Sequence, residues 1–202
     1  MRLGIMGGTF DPIHYGHLVT AEEALVQFNL DRVVFMPTGH PVRKTHRHVS
    51  SAEDRYLMTV VATASNPDFE VSRLEIERPG DTYTVDTMLQ LREIHGPKSD
   101  LFFISGADAV REILTWKDAD RFAELCTFIA ATRPGFDAEV GPIAGPEGTP
   151  RLKVESMEVP ALAISSSDIR ARVAAKRPIR YLLPESVAAY IEKNGLYRDP
   201  VV

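Results

Sequence analysis

The sequence predicts a doubly wound α/β protein, a Rossmann-like parallel sheet with helices on both faces, and three observations carry that expectation. Short apolar runs alternate with stretches whose apolar residues recur every three or four positions, the periods of buried strands and amphipathic helices. The first strand and the first helix are joined by a glycine-rich turn, the position at which open α/β sheets bind ligands. The chain has 202 residues, 44% of them hydrophobic and 25% charged, the balance of an ordinary globular protein long enough to bury a core without staples. A single domain spanning 1–202 is expected, with a helical C-terminal part from about residue 165.

The elements follow in order. Residues 2–6 (Arg-Leu-Gly-Ile-Met) read as a short buried strand opening into Gly7-Gly8. Leu18, Ala21, Leu25 and Phe28 fall at helical spacing between polar residues, so a helix is expected from about 16 to 29, and residues 32–36 form the next strand, stopped by Pro37 and Gly39. Ser50 and Glu53 are spaced as a capping box before a helix with Leu57, Val60, Val61 and Ala64 inward. Residues 69–72 read as a strand, and Thr84 as the cap of a helix burying Val85, Met88 and Leu91 and closed by Gly96 and Pro97. Strands are expected at 101–105, 127–131 and 152–155, with a short helix bearing Phe122 and Leu125 and a flexible glycine- and proline-rich loop between 134 and 150. Two helices close the chain, one after Ser165 and one from about 185 to 193 ending at Asn194-Gly195.

Composition excludes several classes. Lys+Arg 23 against Asp+Glu 28 leaves a net charge of −5, the wrong sign for a general nucleic-acid binder. One cysteine, Cys126, allows no internal disulfide and no cysteine-rich zinc site, and its apolar neighbours mark it as core; a reducing cytoplasm fits. No stretch approaches the roughly 18 apolar residues of a membrane span, and the run at 3–6 is too short for a signal-peptide core.

The sharpest chemical signal is Gly7-Gly8-Thr9-Phe10-Asp11-Pro12-Ile13-His14-Tyr15-Gly16-His17 between the first strand and first helix. The glycines leave the backbone open to close approach by a phosphate, and the helix aims its free amides and positive dipole end at the same spot. His14 and His17, three apart, can face one point and donate to phosphate oxygens; the alternatives are a capping role or two ligands of a metal, although no His-Glu-x-x-His pattern accompanies them. Asp11 before a proline reads as a turn residue, and the absence of any Gly-Lys pair excludes a Walker-type loop. Later, Ser165 and Asp168 form a capping pattern, so Ser166 and Ser167 expose amides and hydroxyls at a second helix start, with Arg170 one turn on; the alternative is a plain cap with a surface arginine.

Residues 8–17 resemble the signature of the nucleotidyltransferase superfamily that includes the class I aminoacyl-tRNA synthetases, and Ile164-Ser165-Ser166-Ser167-Asp168-Ile169-Arg170 resembles its second signature, Ile-Ser-Ser-Thr-x-Ile-Arg. Within that superfamily the chain looks most like the bacterial nicotinate-nucleotide adenylyltransferase family over nearly its whole length. Residues 81–88 (Asp-Thr-Tyr-Thr-Val-Asp-Thr-Met) are similar to that family's Ser-Tyr-Thr-x-x-Thr-Leu segment, Gly106-Ala107-Asp108 with Trp116-Lys117 to its Gly-Ala-Asp and Trp-Lys pair, and Arg133-Pro134-Gly135 to its Arg-Pro-Gly. One departure stands out: Pro41-Val42-Arg43-Lys44 replaces Pro-Pro-His-Lys or Pro-Pro-His-Arg. His40, Arg43, Lys44, His46, Arg47 and His48 have no acidic residue among them, which suggests a lid over a polyanion or, alternatively, a solvated loop.

The resemblance implies the nucleotidyltransferase fold and adenylyl transfer from ATP to nicotinate mononucleotide, with Mg²⁺ accompanying ATP and no other metal. It implies catalytic roles for His14, His17 and Arg170. Gly7, Gly8, Thr9, Phe10, Gly106, Asp108, Ser166 and Ser167 would serve ATP and its phosphates, with Lys44 from the lid, the phosphate contact lying open between Arg43 and Lys44. Tyr83, Thr84, Trp116 and Arg133 would serve the mononucleotide, Trp116 by stacking on the pyridine ring unless it belongs to the core. The expected partners are these small molecules, not nucleic acid or membrane, and a homo-oligomer is compatible with the reading. The rivals are a non-catalytic nucleotide-binding module, against which His14, His17 and Arg170 all stand, and an adenylyltransferase using another acceptor such as nicotinamide mononucleotide; a class I synthetase is too large.

Overall fold

A computed structural model describes residues 1–40, 49–107, 118–132, 152–160 and 162–198. Six strands, β1 (Arg2–Gly8), β2 (Arg32–Pro37), β3 (Phe69–Val71), β4 (Asp100–Gly106), β5 (Thr127–Thr132) and β6 (Val154–Glu158), form one sheet in the order β3-β2-β1-β4-β5-β6. The pairs β1–β4, β4–β5 and β5–β6 are parallel, with Met6 opposite Ile104 and Ile104 opposite Ile129. Ile5 and Met6, adjacent on β1 and so facing opposite sides, are both buried, as are Phe35 and Met36 on β2 and Phe103 and Ile104 on β4, so the sheet is covered on both faces, as α/β crossovers require. Strand order runs outward in both directions from the β1–β4 neighbours, which makes the carboxyl ends of these two strands the expected ligand position.

The helices are α1 (Tyr15–Gln27), α2 (Ala52–Thr63), α3 (Leu74–Glu77), α4 (Thr84–His95), α5 (Ala119–Leu125), α6 (Ser166–Ala174) and α7 (Glu185–Asn194). The short α3 has no counterpart in the sequence reading, because four residues carry no helical period. Among the described residues no helix is long and apolar enough to cross a membrane.

The chain divides into two compact units. The first contains residues 1–7, 20–34 and 83–161, and its core gathers Phe103 with Phe122 edge-on at 5.6 Å and Phe128 at 5.8 Å. Arg92 of α4 donates to the carbonyls of Ser99 and Leu125. Val85, Met88 and Leu91 are buried as their spacing predicts, and Gly96, at φ 83°, closes α4 by donating to the Arg92 carbonyl. Cys126 is buried, and burial pushes its thiol pKa up, which fits a core residue. The second unit contains residues 8–19, 35–82 and 162–202; in it α2 and α7 are joined by Tyr190 Oη donating to Asp54 Oδ1 at 2.9 Å and Ser186 Oγ donating to the Val61 carbonyl at 3.0 Å.

Three local expectations are corrected. The cap of α2 is Ser51, whose hydroxyl accepts from the Asp54 N–H at 3.0 Å and donates to the Asp54 carboxylate at 2.6 Å, while Glu53 is drawn away by the Arg73 guanidinium at 2.9 Å. The buried face of α2 is Arg55, Met58, Thr59, Ala62 and Thr63 rather than Leu57, Val60, Val61 and Ala64. Those polar residues go inside because each finds a carbonyl: Thr59 Oγ1 donates to that of Arg55 and Thr63 Oγ1 to that of Thr59. Thr84 is the first helical residue of α4, with Tyr83 at the N-cap and no side-chain cap bond there. The ends of α6 and α7 follow expectation: Ser165 accepts from the Asp168 N–H at 3.1 Å, and Gly195, at φ 65° and ψ 26°, ends α7 in the left-handed conformation.

Candidate active site

Within the second unit, residues 8–14 leave β1 as an irregular loop that enters α1. Phe10 holds a left-handed φ of 49°, and its buried ring lies edge-on to His17, 5.1 Å between centroids, and 5.8 Å from Phe35. A Cβ on Gly8 would come within 2.9 Å of the Phe10 ring, so only glycine fits beside it. The Asp11–Pro12 peptide is cis.

His14 and His17 come together. Their rings stack at 3.7 Å with an interplanar angle of 27°, and the His14 backbone N–H donates to His17 Nδ1 at 3.2 Å. An accepting Nδ1 puts the proton of a neutral His17 ring on Nε2. Burial lowers the His14 pKa to about 4, so His14 is uncharged at neutral pH. Gly16 makes the stack possible, since a Cβ there would lie 3.0 Å from the His14 ring.

The second motif meets this loop. Ser166 Oγ donates to the Pro12 carbonyl at 2.8 Å, and Arg170 Nη1 donates to the Asp11 carbonyl at 2.6 Å, with its Nη2 donating to Ser167 Oγ at 3.4 Å. Two buried nitrogens have no partner among the described residues, His14 Nδ1 and Arg170 Nε. The Arg170 N–H is a permanent donor, and leaving such a group unpaired costs about 1–3 kcal/mol, which an acceptor such as a phosphate oxygen would offset.

Two participants escaped the sequence reading. Arg55, 1% exposed, donates Nε to the Ser50 carbonyl, Nη1 to that of Thr9 and Nη2 to that of Gly39, at 2.9–3.1 Å. Burial lowers its pKa and the Asp11 carboxylate opposes that shift. Asp11 stands in a turn, as expected before Pro12, but its carboxylate has partners the sequence did not show: the residue is 4% exposed, its Oδ1 accepts from Tyr197 Oη at 2.6 Å, and its Oδ2 accepts from the Ser50 N–H at 3.4 Å. No periodicity signals either role; the hint was an arginine on the face opposite the one taken as inward.

Of the remaining candidates, Thr9 gives its carbonyl to Arg55. In the first unit, Gly7 lies against the Phe103 ring, a Cβ there standing 3.0 Å away, and Gly106 ends β4 opposite Ala131 with open space at its α-carbon. Tyr83 and Thr84, half-buried, begin α4 in that unit. Lys44, Asp108, Trp116 and Arg133 lie outside the described residues, as do Arg43 and the expected loop at 134–150.

Comparison with known proteins adds sequence evidence to this geometry. Residues 5–172 match the Cytidylyltransferase-like family. A protein of Thermoanaerobacter sp. (strain X514) named "Probable nicotinate-nucleotide adenylyltransferase" is 57% identical, the alignment covering 98% of this chain and 95% of that protein. A protein of the same name from Streptomyces coelicolor is 58% identical, covering 96% and 99%. Among solved structures, that of Plasmodium falciparum nicotinic acid mononucleotide adenylyltransferase complexed with NaAD superposes with a TM-score of 0.77 at 20% identity, covering 97% of each chain, which shows a shared fold.

Proposed function

Because the chain belongs to the nicotinate-nucleotide adenylyltransferases, within the Cytidylyltransferase-like family, we propose that it transfers the adenylyl group of ATP to nicotinate mononucleotide, yielding deamido-NAD and pyrophosphate. The observation that carries the reading is the convergence, on one loop, of the His14–His17 stack and the Ser166–Arg170 helix start. An oxygen of the mononucleotide 5′-phosphate attacks the α-phosphorus of ATP, a new phosphoanhydride bond forms, and the bond from the α-phosphorus to the oxygen bridging it to the β-phosphorus breaks, its electron pair leaving with pyrophosphate. No covalent enzyme intermediate is required.

Both reactants are anions, so the task of the chain is positioning and charge stabilisation. His17, with its proton on Nε2, donates to the phosphate whose charge grows in the transition state, and neutral His14 backs it. Arg170 supplies the fixed positive charge toward pyrophosphate, aided by the Ser166 and Ser167 amides at the start of α6 and by Lys44. Gly7, Gly8, Thr9, Phe10, Gly106 and Asp108 border ATP on this reading, while Tyr83, Thr84, Trp116 and Arg133 serve the mononucleotide.

Among the described residues no group of three His, Cys, Asp or Glu side chains is gathered to hold a metal ion. The Asp11 carboxylate of the loop is taken up by Tyr197 and the Ser50 N–H, and the imidazole, guanidinium and hydroxyl groups beside it are suited to phosphate oxygens. On this reading magnesium would arrive with ATP and neutralise phosphate charge. The reading places the enzyme in the cytoplasm, acting on small molecules alone.

The test is pyrophosphate release from ATP with nicotinate or nicotinamide mononucleotide. The start of α4, where Tyr83 and Thr84 offer donors to a carboxylate, supports a kcat/KM for the nicotinate form well above that for the amide. Equal rates with both would remove the acid preference, and release with neither would remove the activity.

A further inference from the structure

After α7 the chain turns back through Gly195 and Leu196, whose N–H groups donate to the Glu192 and Ile191 carbonyls, and Tyr197 follows in a left-handed conformation at φ 62°. A non-glycine residue there costs about 1 kcal/mol, so the surroundings must hold it. Tyr197 Oη donates to Asp11 Oδ1 at 2.6 Å, across 186 positions of sequence, with Met58 Sδ 4.0 Å away.

The same Asp11 carries the loop's link to the second motif. Its carbonyl accepts from Arg170 Nη1, and the carbonyl of the next residue, Pro12, accepts from Ser166 Oγ. Fixing the Asp11 side chain from one side thus fixes, on the other, the peptide on which the Arg170 guanidinium is seated. Arg55 holds the loop two residues earlier at the Thr9 carbonyl, so Asp11 is the point where the C-terminal turn reaches the site.

We propose that Tyr197 is a positioning residue for the reaction: through Asp11 it sets the orientation of Arg170 toward the phosphates. The inference rests on the adenylyl-transfer reading for its kinetic part. Its binding part needs only that Arg170 meets a phosphate.

The experiment compares Tyr197→Phe with Tyr190→Phe, which loses the same kind of bond, to Asp54 at 2.9 Å, without touching the loop. Binding of inorganic pyrophosphate is measured by calorimetry beside turnover and melting temperature. Tyr197→Phe should weaken pyrophosphate binding about tenfold and lower kcat about tenfold, with KM for the mononucleotide within about twofold of the original, the scale expected of one charge-assisted hydrogen bond. Tyr190→Phe should move only the melting temperature. In an Arg170→Lys background the additional effect of Tyr197→Phe on pyrophosphate should disappear. Unchanged pyrophosphate affinity in Tyr197→Phe, or the same loss in both backgrounds, overturns the proposal. If the unaltered enzyme binds pyrophosphate with the Tyr197 dependence described but turns over neither mononucleotide, the positioning link stands and the reaction assignment falls.

Discussion

The imidazole of His17 accepts a hydrogen bond from the backbone N–H of His14 and stacks on the His14 ring at 3.7 Å. One interaction fixes the tautomer of His17 and the other fixes its plane, so its remaining N–H is aimed by structure before any ligand arrives. Such preorganisation matters most for charge that develops only in the transition state.

His17→Ala should therefore lower kcat by about 10²- to 10³-fold with the fold intact, the scale of losing one oxyanion donor. Steady-state kinetics together with circular dichroism check it. A folded variant with near-normal kcat would reduce His17 to a structural partner of Phe10.

His14 makes a prediction about acid stability. Its pKa lies near 4 in the folded protein and near 6.5 when unfolded, so below pH 6.5 the unfolded chain takes up a proton that the native chain refuses. The stability due to neutral His14 is present above pH 6.5 and is lost as pH falls toward 4, by up to about 3 kcal/mol. Urea unfolding at pH 7, 6 and 5 should show the His14→Asn variant losing less stability than the parent over that interval. Parallel curves would mean that His14 titrates normally.

Gly16→Ala separates stability from activity. Alanine in a helix gains up to about 1 kcal/mol over glycine, yet the new methyl would sit 3.0 Å from the His14 ring and must push it off its stack with His17. The expected result is a melting temperature equal to or above that of the parent with kcat reduced about tenfold or more. An unchanged kcat would show that the stack tolerates displacement.

Gly39→Ala should behave in the opposite way. A Cβ there would stand 2.1 Å from the Glu75 carbonyl oxygen, and the Gly39 carbonyl is one of the three gripped by Arg55. Backbone must move, and a loss of about 3 kcal/mol or more is expected in chemical denaturation. A loss below about 1 kcal/mol would show that the 37–40 segment yields more readily than its packing indicates.

What the sequence determined by itself is what local interactions determine. The strand and helix periods around β1, α1 and β2, the Ser165 cap with its Asp168 partner and the Gly195 terminus depend on bonds between residues at most about four positions apart, and spacing reveals these. The motifs at 8–17 and 164–170 were equally legible, because glycine, histidine and arginine in that order carry chemistry in their identity. Tertiary structure alone decided which residues complete the site. Arg55 turns inward because the carbonyls of Thr9 and Gly39, 46 and 16 positions away, converge on its guanidinium where no helical period points. Asp11 is buried for the same reason: a buried carboxylate needs donors, and these come from Ser50 and Tyr197, 39 and 186 positions away. Such pairings are fixed by how distant segments pack, and a buried polar group's partner is therefore written in the fold and not in the residues beside it.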